Sequence, residues 1–189
     1  MAMVNGTQVV TNKCRFNYVH VLEKYASKEG NQEPMYSMCV LIPKSDTETL
    51  DAVNTAIDNA IDKNINKFGG KKPNKNSSSF HNPLRDGDTD RSDHPEYAGC
   101  YFINCKSQYK PRVVDRNKRQ LETDDQVYSG MYGRVAINFY AFANSGNKGV
   151  GAGLGDIQKL EDGDRLGGMM SLDALFGDSE GDDDNKLPF

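Results

Sequence analysis

Between positions 106 and 119 the chain carries six bases, Lys106, Lys110, Arg112, Arg116, Lys118 and Arg119, with one acid, Asp115. Tyr101, Phe102 and Tyr109 lie within or beside this patch. Cations that track phosphates, interleaved with rings that stack on bases, are the chemistry of holding a single nucleic-acid strand. The same composition also suits a solvated charged hairpin. Residues 127–143 supply a second constellation. At strand spacing Met131, Val135, Ile137, Phe139 and Ala141 point one way, while Tyr132, Arg134, Asn138, Tyr140 and Phe142 point the other. The first set reads as a core face. The second needs a cover, either a second core or a nucleic-acid strand. Near the N-terminus Lys13, Arg15 and Asn17 alternate with Cys14, Phe16 and Tyr18, giving another basic strand face.

Other residue sets raise catalytic or metal chemistry and do not sustain it. Asp86, Asp88, Asp90 and Asp93 invite a calcium loop, but an EF-hand starting at Asp86 needs Gly at 91 and Glu at 97, where Arg91 and Tyr97 stand. The same carboxylates are what a metal-dependent nuclease would use, although they sit in a polar loop. His94, Cys100 and Cys105 are three conceivable zinc ligands, but their spacing matches no common zinc pattern, and buried strand thiols explain the cysteines. The run Gly149-Val-Gly151-Ala-Gly153-Leu-Gly155 opens no GxGxxG and precedes no Lys-Ser/Thr pair, so it is not a phosphate loop. Glycine at alternate positions fits a closing strand lying close against another backbone. With no legible nucleophile–base pair or ligand set, the sequence predicts no enzyme, no cofactor and no metal. The alternatives to a binding protein are a metal-dependent nuclease and a virion structural or adaptor protein.

Charge divides along the chain. Residues 156–189 hold ten Asp/Glu against three Lys/Arg, and residues 1–155 hold seventeen acids against twenty bases. A mildly basic body followed by an anionic arm is expected when the arm can visit a surface that a polyanion otherwise fills. Residues 178–189 end the arm with Asp182, Asp183 and Asp184, then Leu187, Pro188 and Phe189. An apolar tip on a solvated acidic segment suits capture by a partner whose pocket has a cationic rim, and otherwise serves solubility.

The elements that must position these residues read as mainly β. Strands are expected at 8–22, 35–43, 97–107, 111–115 and 127–143, with a closing strand near 149–160. The turn chemistry of Lys28-Glu29-Gly30-Asn31 makes a hairpin of the first two. One helix is strong: Ser45-Asp46-Thr47-Glu48 is a capping-box pattern, Leu50, Val53, Ile57, Ile61, Ile65 and Phe68 recur at helical spacing, and Gly69-Gly70 stops the run. Residues 71–95 read as a long polar loop. Gly130 and Gly133 suit the sharp coil of a small barrel. Together these predict an OB-like five-stranded Greek-key barrel with one capped α-helix, long loops and an acidic C-terminal tail. The expected organisation is a barrel over 1–160, a linker over 161–177 and a tail over 178–189. No run of about 18 apolar residues predicts a membrane span, and no basic-then-apolar start predicts a signal peptide. Four cysteines without a dense framework fit reduced thiols in the cytoplasm.

Several runs carry a family resemblance. Pro83-Leu84-Arg85-Asp86-Gly87-Asp88, Tyr101-Phe102-Ile103-Asn104, Pro111-Arg112-Val113-Val114-Asp115-Arg116, Tyr128-Ser129-Gly130-Met131-Tyr132-Gly133-Arg134-Val135 and Gly153-Leu154-Gly155-Asp156-Ile157-Gln158-Lys159-Leu160 resemble single-stranded-DNA-binding proteins of phages and prophages of Gram-positive bacteria. The resemblance covers roughly residues 5–168. It implies an OB-type fold, a role in DNA replication or recombination, and no catalysis. Independently, acidic arms ending in Pro-Phe or a lone aromatic resemble the tails of single-stranded-DNA-binding proteins of bacteria and their phages, which implies replication or recombination partners. A homodimer is a further possibility. Because the resemblance assigns no individual contacts, the candidate DNA site rests on strand faces and charge: Lys13, Arg15, Tyr101, Phe102, Lys106, Tyr109, Lys110, Arg112, Arg116, Lys118, Arg119, Tyr132, Arg134, Tyr140 and Phe142. Of these, Tyr132, Arg134, Tyr140 and the 106–119 patch are expected to line one groove.

Overall fold

A computed structural model of the chain describes residues 1–26, 28–30 and 32–167. A short hairpin, β1 (Met3–Asn5) and β2 (Gln8–Val10), precedes the long β3 (Cys14–Tyr25) and β4 (Met35–Pro43). Helix α1 (Thr47–Lys63) runs into a 3-10 turn at Ile65–Phe68. The stretch read as a loop holds β5 (Phe80–His81), β6 (Arg85–Asp86) and the single turn α2 (Gly87–Asp90). Next come β7 (Cys100–Ser107), β8 (Val113–Val114), β9 (Tyr132–Asn144) and β10 (Asn147–Glu161).

Five of these strands close a ring. β3 pairs with β4, β4 with β7, β7 with β10, β10 with β9, and β9 returns to β3 through Cys14↔Gly133 and Arg15↔Tyr132. Four of the five contacts are antiparallel; β7 and β10 run parallel at Gly153↔Lys106. This is the closed mainly β architecture expected, with the Greek-key return of the last hairpin beside the first strand. The interior is filled by alternate residues of each strand, among them Phe16, Val40, Ile103, Ile137, Phe139 and Val150, all at most 1% exposed. Helix α1 adds Val53, Ala56, Ile57 and Ala60 to the same core.

Two local readings are corrected. The run at 8–22 is two strands, broken at Thr11–Lys13 where the start of α1 docks. The Asn12 amide donates to Thr49 Oγ1 at 3.0 Å, and its side chain donates to Asp46 at 3.1 Å and to Glu48 at 2.8 Å. The helix cap is Asp46 rather than Ser45: the Asp46 carboxylate accepts from the Thr49 amide at 3.1 Å. Glu48 therefore faces Asn12 instead of reaching back as a capping box requires. Asp46→Ala should cost about 0.5–2 kcal/mol, and Ser45→Ala nearly nothing, in urea unfolding. Equal losses would restore Ser45 as the cap.

Candidate nucleic-acid interface

The outward face of the ring is set by what β10 lacks. Its inward residues Val150, Ala152 and Leu154 are buried in the core, so alternation turns Gly149, Gly151, Gly153 and Gly155 outward. A Cβ at Gly151 would lie 2.4 Å from Tyr140 Cζ, and one at Gly149 would lie 2.4 Å from the His81 carbonyl oxygen. Bare backbone thus lets the Tyr140 ring, 41% exposed, lie across β10, and lets β5 run beside the strand. His81 in turn meets Phe142 with ring centroids 6.0 Å apart.

Farther along the edge of β10 that β5 occupies, opposite β9, β7 turns Asn104 and Lys106 outward, both exposed. Lys106 pairs in register with Gly153. The His81 imidazole is held below its ordinary value, first by burial and then by the charges of Arg85 and Lys106. Rings, glycine backbone and cations therefore converge on the β9–β10–β7 face.

Phe102 does not stand there as an open stacking ring. It is 0% exposed, packed edge-on against Tyr97 at 5.1 Å and covered by the guanidinium groups of Arg85 and Arg91 at 5.3 and 5.5 Å. Cys39, Leu41, Tyr97 and Phe102 form a second small core outside the ring, roofed by the segment after β6. Tyr101 is beneath Lys44, whose ammonium sits 5.2 Å from the ring centre. Sequence reasoning missed Arg85, Arg91 and His81, because only long-range pairing brings their segment onto the sheet.

The remaining candidates fall elsewhere. Arg112, Lys118 and Arg134 line a cleft of about 430 Å³ floored by Val10, Val114, Val135 and Ile157. Arg112 is committed there to Asp156 through its backbone amide and Nε, each at 2.9 Å, with a further guanidinium contact. Arg134 donates to the carbonyls of Thr11 and Met1, both at 2.8 Å. Six residues of β9 separate Arg134 from Tyr140, roughly 20 Å along a strand. Lys13 and Arg15 pack over Tyr132 at 5.8 and 5.4 Å. Lys13 also pairs with Glu161 at 2.5 Å, and Arg15 donates to the carbonyls of Gly130 and Asp164. Arg116 donates to the Leu160 carbonyl at 2.8 Å. Tyr109 is 83% exposed. Lys110, Lys118 and Arg119 form no ion pair among the described residues. The expected single groove is therefore divided, since strand length carries Tyr132 and Arg134 away from Tyr140 and Phe142. The candidate partner-binding residues Asp182, Asp183, Asp184, Leu187, Pro188 and Phe189 lie outside the described residues.

The acidic loop has structural work. Lys44 Nζ bridges Asp86 at 2.9 Å and Asp88 at 2.7 Å, and Asp90 pairs with Arg85 at 3.0 Å. Cys105 points into the main core whereas Cys100 packs with the outer one, so the two thiols cannot share a zinc ion with His94. Burial pushes the Cys105 thiol up, the opposite of a poised ligand.

Comparison with known proteins gives concordant matches. The family model described as "Enterobacter phage Enc34, ssDNA-binding protein" matches residues 7–186. A protein designated p50 from Acyrthosiphon pisum secondary endosymbiont phage 1 is 35% identical over 148 residues, 74% of this chain and 77% of that protein. The single-stranded DNA-binding protein of bacteriophage Enc34, solved in complex with ssDNA, superposes with a TM-score of 0.69 at 25% identity over 85% of this chain and 90% of that one. For gp2.5, a single-stranded DNA binding protein encoded by bacteriophage T7, the TM-score is 0.60 at 13% identity over 87% and 97% of the two chains, a likeness of fold.

The electrostatics of the face can be read at His81. In an NMR titration its midpoint should fall below the ordinary histidine value of about 6.5, and Arg85→Gln or Lys106→Gln should raise it, because each removes a cation that opposes the imidazolium. A midpoint indifferent to both substitutions would place these charges away from the ring.

Proposed function

The chain belongs to the phage single-stranded-DNA-binding family represented by the Enc34 protein, and from that membership we propose that it coats single strands through the β9–β10–β7 face of its ring. The family is non-catalytic. The observation that carries this placement is the Tyr140 ring lying across the glycine face of β10, with Lys106 and His81 beside it. A base stacks on a ring whatever its identity, and cations beside the ring track the phosphates, so binding follows strandedness rather than sequence. A site of this kind covers about 4–16 nucleotides. Phe142, Lys106, Tyr109 and Lys110 extend it. The cleft of Arg112, Lys118 and Arg134 and the cations around Tyr132 are peripheral in this reading, since most of their donors already hold the protein together.

We place the protein in replication or recombination of a phage or prophage, working in the host cytoplasm. The described helices include none long and apolar enough to cross a membrane. The Gram-positive host rests on the motif resemblance, the relatives named above coming from an Enterobacter phage and an aphid-endosymbiont phage. Residues 161–177 then lead from the body to 178–189, the partner-binding arm; the first of them are still docked, with Glu161 ending β10, Asp162 accepting from the Tyr128 hydroxyl at 2.7 Å and the Leu166 amide donating to the Ser129 carbonyl at 2.9 Å. Tethering keeps that acidic arm at an effective concentration in the millimolar range near the basic face. DNA, with denser charge and stacking, displaces it and frees Leu187, Pro188 and Phe189 for a replication or recombination partner.

One set of titrations tests this reading. The full chain should bind oligothymidylate far more tightly than duplex, with affinity falling steeply as salt rises. Tyr140→Ala should lose about 1–3 kcal/mol of binding with the salt slope intact, and Gly151→Ala should act in the same direction by lifting the ring. Deleting residues 178–189 should tighten binding, most at low salt. Equal affinity for duplex overturns the function; a neutral Tyr140→Ala overturns the face; weaker binding by the folded deletion overturns the competition.

A further inference from the structure

We propose that Arg85 and Arg91 form a preorganised pad for the DNA strand, stacked on Phe102, with their planes available to a base and their N–H edges to phosphates. The proposal rests on the single-strand-binding reading above and adds a contact from outside the ring's own strands.

Two guanidinium groups converge on one aromatic ring, Arg85 at 5.3 Å and Arg91 at 5.5 Å from its centre. Like charges gathered on one ring disfavour each other, and carboxylates beside them would be the ordinary remedy. Here the nearest acids are mostly taken: Asp86 and Asp88 hold Lys44. Asp90 pairs with Arg85 alone. Arg91 donates to the Asp90 backbone carbonyl at 3.3 Å and forms no ion pair among the described residues. Among the described residues the Arg91 charge therefore has no ion-pair partner of its own. Such a site favours an anion that brings its own charge.

The mounting is rigid. Arg85 pairs in register with Phe102, and Asp86 with Tyr101. Asp86 accepts from the Asp88 amide, and Asp88 accepts from the Gly99 amide, each at 2.9 Å. Gly87 fits only without a side chain, because a Cβ would lie 2.5 Å from the Tyr97 carbonyl oxygen. Beneath the ring, Tyr97 is 1% exposed and donates its hydroxyl to Cys39 Sγ at 3.5 Å. The Arg85 side chain keeps 39% of its surface exposed.

A guanidinium stacked on a ring presents a flat, weakly hydrated face and an unused donor edge, the geometry with which arginine takes bases and phosphates. Lysine offers the charge without the plane. Phe102 is thus a positioning residue, and its complete burial, which removes it as a stacking ring, becomes the reason that the arginines can act. Arg85 pairs with Phe102, which shares one face of β7 with Asn104 and Lys106, so the pad adjoins the Lys106 side of the Tyr140 face.

The test compares the full chain with Arg85→Lys/Arg91→Lys, Arg85→Gln/Arg91→Gln and Phe102→Leu, using oligothymidylate at several salt concentrations and recording Tm beside affinity. The lysine pair should bind roughly 5- to 30-fold more weakly with an unchanged salt slope, the loss of a desolvated planar contact. The glutamine pair should also flatten the slope by about one phosphate's worth. Phe102→Leu, where it stays folded, should match the lysine pair; where it unfolds, the two arginine variants decide. Oligothymidylate affinity and slope equal to wild type in both arginine pairs overturn the pad and leave the single-strand reading standing. Absence of binding by the wild-type chain overturns that reading and the pad with it.

Discussion

A strand that closes a small ring must approach its neighbours on both edges, and any side chain on its outer face has to fit between them. β10 meets this constraint with glycine at each outward position from 149 to 155. It pairs with β9 along its length and reaches β7 at Gly153, while the Ala136 carbonyl oxygen would lie 2.7 Å from a Cβ at Gly155. A side chain at Gly149 or Gly155 would press on the neighbouring backbone, and one at Gly151 on the Tyr140 ring. The same bareness gives the outer surface its character. With no β10 side chains in the way, the Tyr140 ring lies across the strand and β5 sits against it, so closure of the core and exposure of an aromatic platform have one cause.

Charge is distributed to match. Around the barrel most cations answer to a structural acceptor: Arg112 to Asp156, Lys13 to Glu161, Lys44 to Asp86 and Asp88, Arg134 and Arg15 to backbone carbonyls. Exposed pairs of this kind contribute little individually to stability, but they leave those cations less free for a ligand. Beside the glycine face Lys106 and Arg91 form no ion pair among the described residues. Lys106 stands exposed opposite Gly153, burial and then the charges of Arg85 and Lys106 hold the His81 imidazole below its ordinary value, and two arginines share one ring with one ion-paired carboxylate among the described residues. A net acidic chain can thus leave particular cations without a structural acceptor.

Much of this was legible in the residues, and the failures share a cause. The alternation of Met131, Val135, Ile137 and Phe139 with Arg134, Asn138 and Tyr140 is a period-2 signal that survives folding unchanged. So are the apolar stripe of α1 and the alternate glycines of β10. The break at Thr11–Lys13 was illegible because it is imposed from far away, by Thr49 and Asp46 at the start of the helix. Order in the polar loop likewise depends on Lys44, 44 positions from Asp88. Burial of Phe102 follows from a roof supplied by another segment. Patch composition named cations correctly as a class but could not say which already had acceptors, nor that Arg134 and Tyr140, on one strand face, stand too far apart to line one pocket.

The central claim is that DNA lies on the glycine face rather than in the Arg112–Arg134 cleft. Backbone amide chemical shifts of the full chain, followed by NMR as oligothymidylate is added, test it directly. The account predicts the largest changes at Asn104–Lys106, Asn138–Phe142 and Gly149–Gly153, with His81 and Arg85 moving beside them and Arg112, Lys118 and Arg134 nearly still. Large changes confined to that cleft, with the glycine strand unmoved, would contradict it.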